Sequence, residues 1–142
     1  MRLIRSLVVA AAVAGALAVP ASAGPGPSVH GGGSADDMTR FGLAISGGTG
    51  HFECLMPAVM TVQATVAGVD WANPTSARFH GVAAVNLAAN NPFSLPAGPM
   101  VRGAPFYAIV TPGGPGSAAV DLEILGMSFT GQVEHGQITI EP

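Results

Sequence analysis

Gly and Pro punctuate this chain at short, even intervals, a spacing that no long helix survives. The turn signals are Ser46-Gly47-Gly48-Thr49-Gly50, Met56-Pro57, Asn73-Pro74, Asn90-Asn91-Pro92, Pro96 to Pro99, Pro112 to Ser117, Gly126 and His135-Gly136. Between them lie runs of β-formers at Thr39–Ser46, His51–Leu55, Ala58–Trp71, Ser76–Leu87, Met100–Thr111, Ala119–Leu125, Met127–Glu134 and Gln137–Glu141. The expectation is an all-β fold of about eight antiparallel strands in a meander, closed as a small barrel or stacked as a sandwich.

Alternation assigns the faces. Met60, Val62, Ala64 and Val66 are apolar, with Thr61, Gln63 and Thr65 between them. Phe79, Gly81, Ala83, Val85 and Leu87 alternate with Arg78, His80 and Asn86. Val120, Leu122 and Ile124 oppose Asp121 and Glu123, and Ile138 and Ile140 oppose Gln137, Thr139 and Glu141. Met127, Phe129, Gly131 and Val133 oppose Ser128, Thr130, Gln132 and Glu134. A period of two means a sheet with one buried and one wet face. Small inward residues at Gly81, Ala83 and Gly131 suit tight curvature. A membrane-spanning barrel would need an apolar outer band and aromatic girdles. One Trp, one Tyr and outward Asp, Glu, Gln and Thr argue against that.

The first residues read as processing. Arg2 and Arg5 precede an apolar run from Leu7 to Val19, Pro20 breaks it, and Ala21-Ser22-Ala23 forms an A-x-A cleavage site. This is the architecture of a secretory signal peptide, and the run is too short for a membrane anchor. The expected organisation is therefore a signal peptide at 1–23, a flexible Gly/Pro-rich lead-in at 24–37 and one β domain at 38–142. The expected location is secreted, periplasmic or in the cell envelope. After cleavage, three arginines would stand against eight carboxylates, a net charge of −5 with His neutral. That balance argues against nucleic acid and anionic lipid as partners. Charged residues are only 9% of the chain, and the mean hydropathy of +0.48 excludes a charged disordered tail. Cys54 is the one cysteine and reads as a small buried hydrophobe. No intrachain disulfide is available to it, so the fold must rest on burial and backbone hydrogen bonds.

Few residues suggest chemistry. His51 and Glu53 share a strand face and could supply part of a metal site. Further ligands would have to come from His80, Asp121, Glu123 or His135, and no metal motif brings these close. Asp121 and Glu123 pair carboxylates on one face, with outward solubilising charge as the plainer reading. Trp71, just before Asn73-Pro74, reads as a plug at the rim. The loop Pro112–Ser117 lacks the Lys-Ser/Thr ending of a phosphate loop, and no G-x-S-x-G elbow exists. No catalytic residue and no cofactor are expected.

Several motifs carry a likeness. They are Gly31-Gly32-Gly33-Ser34, Phe41-Gly42, Gly50-His51-Phe52-Glu53 and Gly68-Val69. With them go Ala77-Arg78-Phe79-His80-Gly81-Val82-Ala83, Phe106–Val110, Gly113–Ser117 with Asp121–Ile124, and Gly131–Val133 with Gly136–Ile140. Together these resemble the small exported bacterial β-domains of the post-COAP-1 type. The chain departs from that pattern at Cys54, where the family tends to have Tyr, and at Thr111, where it tends to have Asp. The resemblance implies an exported β-domain, alone or on a cell-surface protein, without established catalysis. The functional expectation is a secreted, non-catalytic accessory or binding domain. The alternative is a carrier of a small apolar ligand in a barrel mouth, with Met38, Met56, Met60, Met100 and Met127 as an adaptable lining. A hydrolase using His51, Glu53 or Asp121 is the remote alternative.

Overall fold

A computed structural model describes residues 26–142. The signal peptide expected at 1–23 and its cleavage site lie outside the described residues. Eight strands follow in order: β1 (Ser28–Ala35), β2 (Met38–Ser46), β3 (Thr49–Met56), β4 (Met60–Asn73), β5 (Ser76–Leu87), β6 (Gly98–Thr111), β7 (Ala119–Ile124) and β8 (Met127–Glu141). Each pairs antiparallel with the next, and β8 returns to pair with β1, so the sheet closes into a barrel. The expected fold class is the observed one, and the barrel replaces the sandwich.

The alternation read from sequence describes the wall. Val62, Ala64 and Val66 of β4 point inward, as do Phe79, Ala83 and Val85 of β5 and Val120, Leu122 and Ile124 of β7. At the centre, Phe52, Phe79 and Phe106 meet with ring centroids 5.9 to 6.3 Å apart, in tilted, stacked and edge-on pairs. Met38, Met56 and Met60 are also fully buried, so side chains fill the inside. Met127 and Phe129 are only half-buried against this core.

Two expectations need correction. The lead-in at 24–37 is not flexible over Ser28–Ala35, which forms β1. Its three glycines are there for close approach. A Cβ on Gly31 would lie 2.5 Å from the carbonyl oxygen of Gln137, and one on Gly33 would lie 1.8 Å from that of His135. The expected break at His135-Gly136 is a bulge inside one continuous strand. β1 pairs Ala35 with Val133 and Ser34 with His135, leaving Glu134 without an opposite residue. Gly136 sits at φ 103°, where a Cβ would meet the Gly32 carbonyl oxygen at 2.0 Å. The expected count of about eight strands is the observed one, with β1 lying in the expected lead-in and β8 running continuously through the segments expected at Met127–Glu134 and Gln137–Glu141.

The turns follow local chemistry. Gly47-Gly48 joins β2 to β3 with both residues at positive φ, as a two-residue hairpin requires. In the β4–β5 turn, Asn73 Oδ1 accepts from the amides of Thr75 at 2.9 Å and Ser76 at 3.0 Å, with Pro74 between them. The long β5–β6 loop is pinned by Asn91, the one buried polar side chain among the described residues. Its Nδ2 donates to the carbonyls of Ala88 and Leu95, and its Oδ1 accepts from the amides of Phe93 and Leu95.

Candidate functional site on the outer wall of β4, β5 and β6

With the interior filled, groups free to meet a ligand stand on the outside of the barrel. Most of that outside is polar or small: Arg40, Ala44, His51, Glu53, Gln63, Thr65, Asp121, Thr130 and Gln132 all face out. The exposed large hydrophobic side chains are Trp71, Val82, Leu95, Met100 and Tyr107, each between 37% and 49% exposed. All five lie on β4, β5, β6 or the β5–β6 loop.

Two bulges in β4 build one end of this patch. The register with β5 slips between Val66 and Gly68, and again between Val69 and Trp71. The second slip breaks the alternation, so that the consecutive residues Asp70 and Trp71 both face water. Trp71 now stands opposite Arg78, and Gly68 opposite His80. Gly68 leaves room for the imidazole, since a Cβ there would lie 2.9 Å from His80 Cε1. Asp70 then meets both side chains: its Oδ2 is 2.5 Å from Arg78 Nη1, and its Oδ1 is 2.9 Å from His80 Nδ1. The Arg78 guanidinium carbon lies 4.1 Å from the centre of the Tyr107 ring and 5.8 Å from that of Trp71, a cation held between two aromatic faces. The Trp71 indole N–H donates to Ser76 Oγ at 3.0 Å. Beside Tyr107 runs a shallow groove lined by Pro105, Glu123, Leu125 and Gly126.

The cluster thus gathers the only Trp and the only Tyr of the chain around one arginine. Trp71, expected as a plug at the rim, is instead exposed on the outer wall. Nothing in the linear sequence marks the cluster, because the β4 bulges that aim Asp70 and Trp71 outward are visible only in the register.

Of the residues singled out from sequence, Trp71 and His80 belong to this cluster and Glu123 lines its groove, while the others fall elsewhere. His51 and Glu53 do share the outer face of β3, along shallow grooves with Gly42, Ala44 and Gln63. Asp121 is on β7, four strands further round an eight-strand cylinder and hence on the opposite wall. Glu123, one step along β7, accepts a hydrogen bond from Ser128. His135 sits in the β8 bulge against Ser34 Oγ at 3.2 Å. Among the described residues no three His, Cys, Asp or Glu side chains converge as metal ligands would. Cys54 is buried, and burial, with a smaller contribution from Glu53, pushes its thiol up to about 12. Such a thiol is a poor nucleophile.

No family model matches the chain, and no curated protein or solved structure does so either. Among the described residues no helix is long and apolar enough to cross a membrane.

Proposed function

We propose that this chain is a secreted, non-catalytic binding domain that works through the outside of its barrel. The observation that carries the reading is the gathering of every exposed large hydrophobic side chain among the described residues on the β4–β6 wall. An apolar patch of this kind on an otherwise polar surface is the usual mark of an interaction site. Export is supported by the Arg-flanked apolar run ending in Ala21-Ser22-Ala23, and the likeness to post-COAP-1 domains points the same way. The packed phenylalanine interior weighs against a small apolar ligand in the barrel mouth. The separation of His51 and Glu53 from Asp121 leaves a hydrolase without a shared site.

Trp71 is the sole indole and lies within the patch, so its fluorescence reports occupancy directly. The protein is titrated with a soluble polysaccharide, with phospholipid vesicles and with itself by concentration. The expected result is a shift of emission to shorter wavelength with one of the three, abolished by Val82→Glu. No shift with any of them overturns the reading. So does stoichiometric uptake of a fatty acid with Trp71 emission unchanged, which would mark an interior carrier.

A further inference from the structure

The outer-wall reading leaves the ligand open, and the polar groups of the cluster narrow it. Arg78 donates to Asp70 through Nη1. Among the described residues its other guanidinium nitrogens, His80 Nε2 and the Tyr107 hydroxyl hold no hydrogen bond. Asp70 meets Arg78 with one oxygen and His80 with the other, so each oxygen keeps room for a further donor. The side chains of Asp70, Arg78 and His80 are between 27% and 49% exposed, within reach of a ligand.

The ladder extends this array sideways. His80 pairs with Tyr107 and Tyr107 with Glu123, a row across β5, β6 and β7. In the next row Trp71 of β4 pairs with Arg78, Arg78 with Ile109 and Ile109 with Asp121. From β4 to β7 there are three strand spacings, roughly 14 Å, which suits a short chain of rings better than a single small molecule. Two chemistries fit poorly. An anion would find Arg78 already occupied by Asp70, with Asp121 and Glu123 at the edge of the same wall. A wholly apolar partner would strip water from the free donors and acceptors and leave them unpaired. A sugar ring fits: it is uncharged, its hydroxyls both donate and accept, and its C–H faces are apolar. Trp71 supplies the platform for such a face. Arg78 lies 4.1 Å from the centre of the Tyr107 ring but 5.8 Å from that of Trp71, so the indole, 43% exposed, is the less covered of the two. Its N–H, held by Ser76, fixes the ring before any ligand arrives and lowers the ordering cost of binding.

We propose that this cluster binds a neutral polysaccharide, with a sugar ring stacked on Trp71 and neighbouring hydroxyls held by Arg78, Asp70 and Tyr107. The proposal rests on the outer-wall reading and names its ligand. The planar guanidinium donates two parallel bonds to adjacent hydroxyl oxygens, a geometry that a lysine ammonium lacks.

The test is titration of the intact protein with laminarin, dextran and galactomannan as neutral probes and polygalacturonate as the anionic one, followed by Trp71 emission and by calorimetry. The expected result is binding of a neutral probe with a dissociation constant of about 0.1–1 mM, as an open and shallow contact implies. Trp71→Ala, read by calorimetry, and Arg78→Lys should each weaken it by about tenfold or more, whereas His30→Ala on β1, at the opposite wall, should leave it unchanged. Amide NMR of the native protein gives the location without any variant: signals of Asp70, Trp71, Arg78, His80 and Tyr107 should move with the glycan and those of β1 should not. Binding of polygalacturonate alone overturns the neutral ligand. Glycan binding that ignores both variants, or that moves signals elsewhere, overturns the site. If no glycan binds while Trp71 emission responds to vesicles or to protein concentration, the outer-wall reading survives and only the sugar is wrong. If it responds to nothing, both fall.

Discussion

Cys54 illustrates how one burial event carries a measurable pH dependence. Its thiol ordinarily titrates near 9.0, and burial in the folded chain moves it to about 12. The folded state therefore keeps a proton that the unfolded chain gives up above about pH 9, and stability must fall as pH rises from 9 toward 12. The slope is up to about 1.4 kcal/mol per pH unit. Chemical denaturation at pH 8 and pH 10.5 should show that loss in the native protein and much less of it in Cys54→Ala. The core offers a second contrast. Phe52 is fully buried and touches both other central rings, so Phe52→Ala should destabilise by about 3–5 kcal/mol. Phe129, half-buried near the start of β8, should lose less than half as much on truncation, and exposed Thr130→Ala almost nothing. Equal losses at 129 and 130 would mean a wrong register for β8. Alternation puts Phe129 on the inward face with Met127, Gly131 and Val133. It reports which way a side chain points and nothing of how deep in the cylinder it sits.

At the scale of the strand, the sequence was most legible where apolar and polar residues alternate under β-branched pressure. β5 falls on the residues expected, and β4 and β7 agree to within two residues at either end. It was least legible where Gly acts at long range. Gly31-Gly32-Gly33 and His135-Gly136 carry the local chemistry of a linker and a turn, and only the strand alongside shows that each glycine admits a neighbouring carbonyl. Gly31→Ala places a methyl 2.5 Å from the Gln137 oxygen and should prise β1 from β8, with faster amide exchange along both. Gly32→Ala, whose nearest neighbour would be the Phe41 oxygen at 3.2 Å, should be far milder. The opposite experiment applies at Ala58, an exposed residue at φ 62° between β3 and β4. There Ala58→Gly should raise stability by about 0.5–1 kcal/mol, because the left-handed conformation is strained for Ala and free for Gly. An unchanged midpoint in urea would mean that the turn carries no strain.

Considered whole, the molecule is a cylinder whose all-β meander could be read from turn spacing, whereas its closure into a barrel and its candidate site could not. Trp71, Arg78 and Tyr107 come from three strands, and two bulges must slip the β4 register before they meet. The chemistry-bearing residues that stood out in the sequence, His51, Glu53 and Asp121, were conspicuous by type and were then scattered by topology. Thermal unfolding should be a single transition, unchanged by reductant, because one seam-free ladder and one core leave no part to melt alone. The pairing of β1 with β8 also bears on the order in which the chain can assemble. Ser28 faces Glu141 across the ladder, so the ring's first segment finds its second neighbour only in its last. A ribosome or a translocation pore releasing this polypeptide from the N-terminal end would hand over a curled but open sheet, with the glycines of β1 waiting unzipped. Closure is then the final event of biogenesis, and until it happens the chain remains a substrate for chaperones and proteases.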